Sequence, residues 1–249
     1  MNVRGLVTMV LVTCAASSYA RAQEAKKPPV MEFTGDLGIV DVTGNTSVST
    51  FNSNERLIRR FAHWELQQVF GAVYGKADGK ESSNLWRFGL RGDYGLGSRF
   101  ALYGLTAFDR NKFAGITSRF SEGLGLVGKL IVTDVDQLNI EGGFELTQQD
   151  NVDGTTDNFS SLRGATTWKH AFSKAAYFYQ AAEFLPNLSE SKDLRINTET
   201  ALVAPLSTHI GMKFSYVVRF DNLPSLNAAG TAPLRKSDRI FSAGIQLSY

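Results

Sequence analysis

The last nine residues, Phe241 to Tyr249, alternate without a break. Phe241, Ala243, Ile245, Leu247 and Tyr249 fall on one face of an extended segment, and Ser242, Gly244, Gln246 and Ser248 on the other. A strand, with its period of two, separates these sets completely. Such a segment needs an apolar surrounding on one side and a polar one on the other. Two structures supply that: a soluble β-protein with this strand at its edge, or a closed barrel with lipid outside. In the second, Tyr249 sits at headgroup level and serves as the signature for membrane insertion.

Period-two segments recur along the chain. Trp86, Phe88, Leu90, Gly92 and Tyr94 alternate with Arg87, Gly89, Arg91 and Asp93. Leu138, Ile140, Gly142, Phe144 and Leu146 alternate with Asn139, Glu141, Gly143 and Glu145. Phe120, Leu124, Leu126 and Leu130 alternate with Arg119, Ser121, Gly123, Gly125 and Lys129, and the stretch from Leu206 to Phe220 follows the same rule. Weaker segments lie at 31–42, 46–59, 64–75, 99–110, 159–170, 175–185 and 194–204, and with 238–249 the total is about twelve. The connections alternate in length: short near 60–63, 95–98, 132–136, 171–174 and 204–207, long and polar at 76–84, 111–117, 149–158, 186–193 and 221–237. The tight Thr43-Gly44-Asn45-Thr46 turn is the exception on the long side. Trp64, Phe100, Trp168, Phe172, Tyr177 and Tyr249 gather near the short turns; Tyr74, Phe108, Phe113, Phe159, Phe184 and Phe220 gather toward the long ones. Two aromatic girdles around an apolar band, with short turns on one side and long loops on the other, predict a membrane barrel. A secreted soluble all-β protein is the alternative.

Composition agrees. Mean hydropathy is −0.13. Beyond the N-terminus there is no run of about 18 apolar residues, the length a membrane helix needs. A barrel escapes that test because only alternate residues meet lipid. Residues 1–22 have the form of a secretory signal, with Arg4, an apolar stretch from Leu6 to Ala16, and Ala20-Arg21-Ala22 as the cleavage site. A lipoprotein site at Leu11-Val12-Thr13-Cys14 is a poor alternative, because Thr precedes the cysteine. Residues 23–30 read as a short polar periplasmic lead-in. Cys14 is the only cysteine, so cleavage leaves no thiol or disulfide chemistry. The chain has 26 basic and 24 acidic residues; Arg4 and Arg21 leave with the signal, so the mature balance is zero. Nothing in it suggests a nucleic-acid partner.

Catalytic patterns are thin. A lipid hydrolase needs a Ser/His pair near the outer leaflet with an orienting polar group. His63, His170 and His209 all fall near short turns, and Ser207 and His209 share an inward face at that end. A barrel protease needs acids and a histidine among the long loops; Asp150, Asp153, Asp157 and Asp221 are there without a histidine. The carboxylates of Asp150, Asp153 and Asp157 are three and four residues apart, unlike the alternating ligands of an EF-hand, and read as a solvated outer loop. Neither a phosphate-binding loop nor a zinc-protease motif occurs.

The inward face is more informative. Assigning polar residues to it gives Arg87, Arg91, Arg99, Arg119, Lys129, Arg163, Lys169, Arg195, Lys213 and Arg219, with Asp93, Glu141, Glu145 and Glu199 as the acids. This basic-leaning set lines either a narrow channel favouring anions or a lumen filled by crossing side chains that neutralise one another. At about twelve strands, barrel size does not choose between them. Glu122 and Glu183 fall on apolar faces. A charge costs less there near the membrane surface, and a local bulge would turn either residue inward.

Three stretches carry a family resemblance. They are Asp41-Val42-Thr43-Gly44-Asn45-Thr46; Ser118-Arg119-Phe120 with Gly123-Leu124-Gly125-Leu126; and Asn222-Leu223-Pro224 with Lys236-Ser237-Asp238 and the final aromatic-ended strand. In that order they resemble the bacterial barrels known as salt-induced outer membrane proteins, a domain of unknown function. The resemblance spans roughly 31–249, and Tyr249 stands where Phe is commoner. It implies an outer-membrane location and stress-linked expression, and it transfers no activity and no catalytic residue.

The expectation is an all-β protein: a transmembrane antiparallel up-and-down β-barrel of about twelve strands over 31–249. It is exported, monomeric, free of cofactor and metal, and surrounded by outer-membrane lipid and lipopolysaccharide. The barrel-assembly machinery is its partner during insertion. Its expected role is passive, as a small channel or envelope-stress barrel. The alternatives are a barrel enzyme acting on lipid or lipopolysaccharide and a structural or adhesive barrel working through its outer loops.

Overall fold

The computed structural model describes residues 30–43, 48–77, 80–173, 176–207 and 209–248. The expected signal, the lead-in up to residue 29, most of the Thr43–Thr46 turn and Tyr249 lie outside the described residues. Twelve strands run in chain order: β1 (Met31–Thr43), β2 (Val48–Phe61), β3 (Trp64–Ala77), β4 (Lys80–Gly95), β5 (Phe100–Asn111), β6 (Ile116–Val132), β7 (Asp136–Asn151), β8 (Thr156–Ala171), β9 (Tyr177–Pro186), β10 (Leu194–Pro205), β11 (Ile210–Asp221) and β12 (Ser237–Ser248). Each pairs antiparallel with its neighbours in sequence, and β1 pairs with β12 from Thr34↔Ser248 to Thr43↔Arg239. Closure gives every strand a partner on both sides, as a lipid surrounding demands.

The barrel is inside out relative to a soluble protein. Every strand presents an exposed apolar side chain: Leu37, Phe51, Leu66, Phe88, Leu102, Leu124, Phe144, Leu162, Phe184, Leu202, Phe214 and Ile245, from β1 to β12 in turn. The buried positions include Asn52, Ser121, Glu145, Thr147, Gln149, Ser161, Arg195, Ser215 and Gln246. A continuous apolar girdle over a charged interior has one stable surrounding, a bilayer.

Strand extension corrects the expected loop pattern. The loop expected at 76–84 is almost wholly strand, because β3 runs to Ala77 and β4 begins at Lys80. The stretch 149–158 is likewise strand apart from 152–155, and 111–117 shrinks to a single 3-10 turn, Lys112–Ala114, with Gly115 closing it at φ 82°. Their hydrophilicity disguised these strand ends as loop. Only the connections 187–193 and 222–236 remain long.

Aromatics mark both ends. Trp64 packs on Tyr94 at 5.1 Å and Trp168 on Phe178 at 5.6 Å near the short turns, and Trp86 packs on Phe108 at 4.9 Å toward the other end. Phe159 and Tyr177 depart from the expected girdles and turn inward. Arg195 sits over the Phe159 ring at 4.7 Å, and the Tyr177 hydroxyl donates to Gln246 at 2.9 Å.

In β9 Phe184 is exposed outside, as the girdle pattern expects, but Glu183, expected on the apolar face, bonds to Arg163 inside. No bulge is involved, since β9 keeps register with β8 and β10. Glu122 does stand outside, exposed between Thr106 and Leu146. Glu55 joins it there, opposite Gly35 and Phe70, which the sequence pattern had not indicated.

Candidate functional site: the barrel lumen

Two zones of charged side chains occupy the interior. The first is a waist built around Tyr103 of β5, which is only 3% exposed. Its ring lies against β6 and β7 where those strands carry Gly125 and Gly143; a Cβ at either position would strike the Tyr103 hydroxyl. The alternating glycines thus make a flat wall on which one large side chain lies sideways. The Arg91 guanidinium sits over the ring at 4.4 Å and that of Arg163 at 5.2 Å, and Arg163 donates to the hydroxyl at 3.0 Å.

These arginines share an acid. Glu141 of β7 accepts from Arg91 of β4 at 2.9 Å and from Arg163 of β8 at 2.6 Å. Arg91 also bonds Asp93 through two nitrogens, each at 2.8 Å. Arg163 reaches Glu183 at 2.7 Å, and Asn197 of β10 donates to the other oxygen of Glu183 at 2.9 Å. A second bonded group holds the opposite wall. Lys213 of β11 pairs with Asp36 of β1 and lies 3.6 Å from Glu199, and Gln246 of β12 donates to Asp36 at 3.0 Å. Pairs at hydrogen-bond distance with their remaining lone pairs filled hold their geometry strongly.

The second zone lies toward the end bearing the 222–236 connection. Arg87, Arg119, Arg195 and Arg219 converge there from β4, β6, β10 and β11. Arg119 donates to Gln149 at 2.7 Å, and Arg195 donates to Ser161 at 3.2 Å and stands 3.6 Å from Glu145. Among the described residues, Arg87, Arg119 and Arg219 have no carboxylate oxygen within 4.0 Å.

Over this zone runs the 222–236 segment, here termed the strap. It leaves β11 and returns to β12, yet its Ser225 bonds to β7 on the far side of the barrel: Gln149 donates to Ser225 at 3.2 Å, and Ser225 donates to Asn151 at 2.9 Å. Ser225 and Leu234 fill the space that a Cβ at Gly115 would need. A bridge between Leu226 and Pro233 keeps the strap narrow. The strap therefore spans the mouth rather than standing clear of it.

The remaining candidates lie at the short-turn rim. Arg99 sits in the turn before β5 and reaches the Leu130 carbonyl at 3.4 Å; Lys129 is exposed beside a register shift; Lys169 lies over the Tyr177 ring at 4.4 Å. The inward face carries more charges of both signs than the expected set: Arg56 and Arg60 bond there to Gln67 and Glu65. Asp36, Glu65, Asp109, Glu183, Asp221 and Asp238 also stand on inward faces, through bonds to inward partners or registry with them. The β9 facing hid Glu183, and weak alternation hid Asp36. Tyr103 and Ser225 carried no signal, because their importance comes from partners far along the chain.

Other sequence candidates separate. Ser207 and His209 lie in the turn between β10 and β11 rather than on a strand face. His170 shares a 2.8 Å bond with Asp136. Asp150, Asp153 and Asp157 do not form one loop. Asp150 accepts from Ser118 and Thr156, and Asp157 accepts from Asn151. The hydroxyl and backbone N–H of Thr155 hold the Asp153 carboxyl below the usual carboxylate range. Among the described residues no group of His, Cys, Asp and Glu is placed to hold a metal ion.

A closed antiparallel barrel with an apolar exterior and a charged, hydrogen-bonded lumen is a porin-like outer-membrane β-barrel. Within that class, the chain belongs to the family described as "Protein of unknown function, DUF481", which matches residues 35–244. No curated protein matches it. Among solved structures it resembles the NanC porin, with a TM-score of 0.57 at 8% identity, covering 86% of this chain and 98% of that one. It also resembles the KdgM porin in complex with disordered oligogalacturonate (TM-score 0.47, 12% identity, 87% and 99% covered). An anion-selective porin from Comamonas acidovorans gives 0.46 at 8% identity, with 88% and 98% covered.

Proposed function

We propose that the protein is a passive outer-membrane channel for small polar solutes, narrowed at the waist and covered at the mouth. The observation supporting this is Arg87: it lies on an inward face, in register with Gly71 and Asp109, and is nevertheless solvent-exposed. Water therefore reaches the interior, as it would not in a barrel filled by its own side chains. The strap supports a covered pore over a freely open one. The protein acts without catalysis, as a monomer, in contact with outer-membrane lipid and lipopolysaccharide. Residues 1–22 are removed on export, the short turns face the periplasm, and the strap faces outward. Its synthesis responds to envelope stress.

Single-channel conductance of the refolded mature chain in planar bilayers tests this. Folding is verified first by heat-modifiable gel migration. Small, stepwise currents are expected. A verified folded barrel that gives no steps, with the wild-type strap or with residues 225–233 removed, overturns it.

A further inference from the structure

We infer that the outer half of the lumen is a binding site for a small soluble anion bearing a carboxylate or phosphate group, held by Arg119, Arg195 and Arg219 beneath the strap. The evidence is which polar groups remain free. Two carboxylates of this zone already have donors. Asp221 accepts the Leu223 backbone N–H at 2.9 Å, and Glu145 accepts from Thr147 at 3.2 Å and stands 3.6 Å from Arg195. Asp109, in register with Arg87 and Arg119, and Asp238, in register with Arg219, are left to balance the cluster without contacting an arginine within 4.0 Å among the described residues.

Arg119 and Arg219 have most of their donors free, and Arg195 keeps one. Arg219 makes no hydrogen bond or ion pair among the described residues, and Arg119 bonds through Nε alone, leaving its terminal nitrogens free. Arg195 is 5% exposed and its Nε has no partner. A buried guanidinium nitrogen without an acceptor is costly, and each free guanidinium presents a planar fork matched to two oxygens of one anion. Arg119 and Arg219 come from opposite walls, so one ligand can bridge them. Gln149 joins the site to its cover, accepting from Arg119 while donating to Ser225.

The inference rests on the channel reading only for how the anion arrives; the binding is measured separately. Inorganic phosphate is titrated by calorimetry into the folded barrel in detergent free of lipopolysaccharide, at fixed ionic strength. One saturable site is expected. Arg119→Gln and Arg219→Gln each weaken it by about tenfold, the loss of one charge-assisted pair, and Arg59→Gln on the outer face leaves it unchanged. Arg119→Lys keeps the charge without the fork and also weakens binding, which covers the case of a glutamine variant that does not fold. No saturable binding, or equal binding in these variants, overturns the site. A barrel that conducts without binding phosphate loses the site and keeps the channel; one that binds without conducting does the reverse.

Discussion

The waist and the outer chamber are built from the same residue types and behave as opposites. At the waist each arginine has its carboxylate: Arg91 with Asp93 and Glu141, Arg163 with Glu141 and Glu183. In the chamber only Arg195 has a carboxylate nearby, Glu145 at 3.6 Å; Arg119 bonds to neutral Gln149, and Arg219 bonds to no group among the described residues. Pairing makes the first zone a fixed structural ring. The missing pairs leave the second with bonding capacity for something that is not part of the chain. Lumen charge alone thus says little; what matters is which charges are already spoken for.

The largest expected effect tests the waist. Glu141→Gln leaves two arginines without their shared acid and lowers stability by about 3 kcal/mol, the usual consequence of breaking a buried pair from one side. Denaturant unfolding in lipid vesicles, followed by tryptophan fluorescence, measures it. Gly143→Ala comes next. Its methyl group displaces the Tyr103 hydroxyl and presses on the Leu124 carbonyl, at about 2 kcal/mol. The same unfolding assay reads it, and Gly164→Ala, where the space is open, leaves stability unchanged.

Ser225→Ala removes two neutral hydrogen bonds at the strap, worth about 1 kcal/mol each. Global unfolding hardly moves, and amide exchange of the strap quickens. Arg219→Gln has the smallest effect on stability, within about 0.5 kcal/mol, because no bond is broken. It does shift the reversal potential in a salt gradient toward cations. A waist-sized loss of stability in Arg219→Gln would erase the contrast between the zones.

The strand pattern, the twelve segments and the outward face were legible in the sequence because alternation is local. The long-range features were not. Glu183 was misplaced because Tyr177, Tyr179 and Leu185 look like a lipid face, and they are in fact a partly buried inner one. The glycines at 125 and 143 were visible as part of a pattern, but their reason, the side chain of Tyr103, comes from another strand. The inward basic residues were readable one by one. Which of them are neutralised depends on contacts such as Arg91 with Glu141, fifty residues apart. The strap looked like an ordinary polar loop, since nothing local shows that Ser225 meets Asn151 seventy-four positions away.

The most direct measurement is the conductance of an Asn151→Cys/Ser225→Cys double variant expressed from residue 23, which leaves out Cys14, the one cysteine of the sequence. The two side chains already meet at 2.9 Å, so an oxidised pair fixes the strap across the mouth. Conductance is expected to fall on oxidation and to return on reduction, with neither single variant responding. Equal conductance in the oxidised and reduced double variant would contradict a mouth governed by the strap.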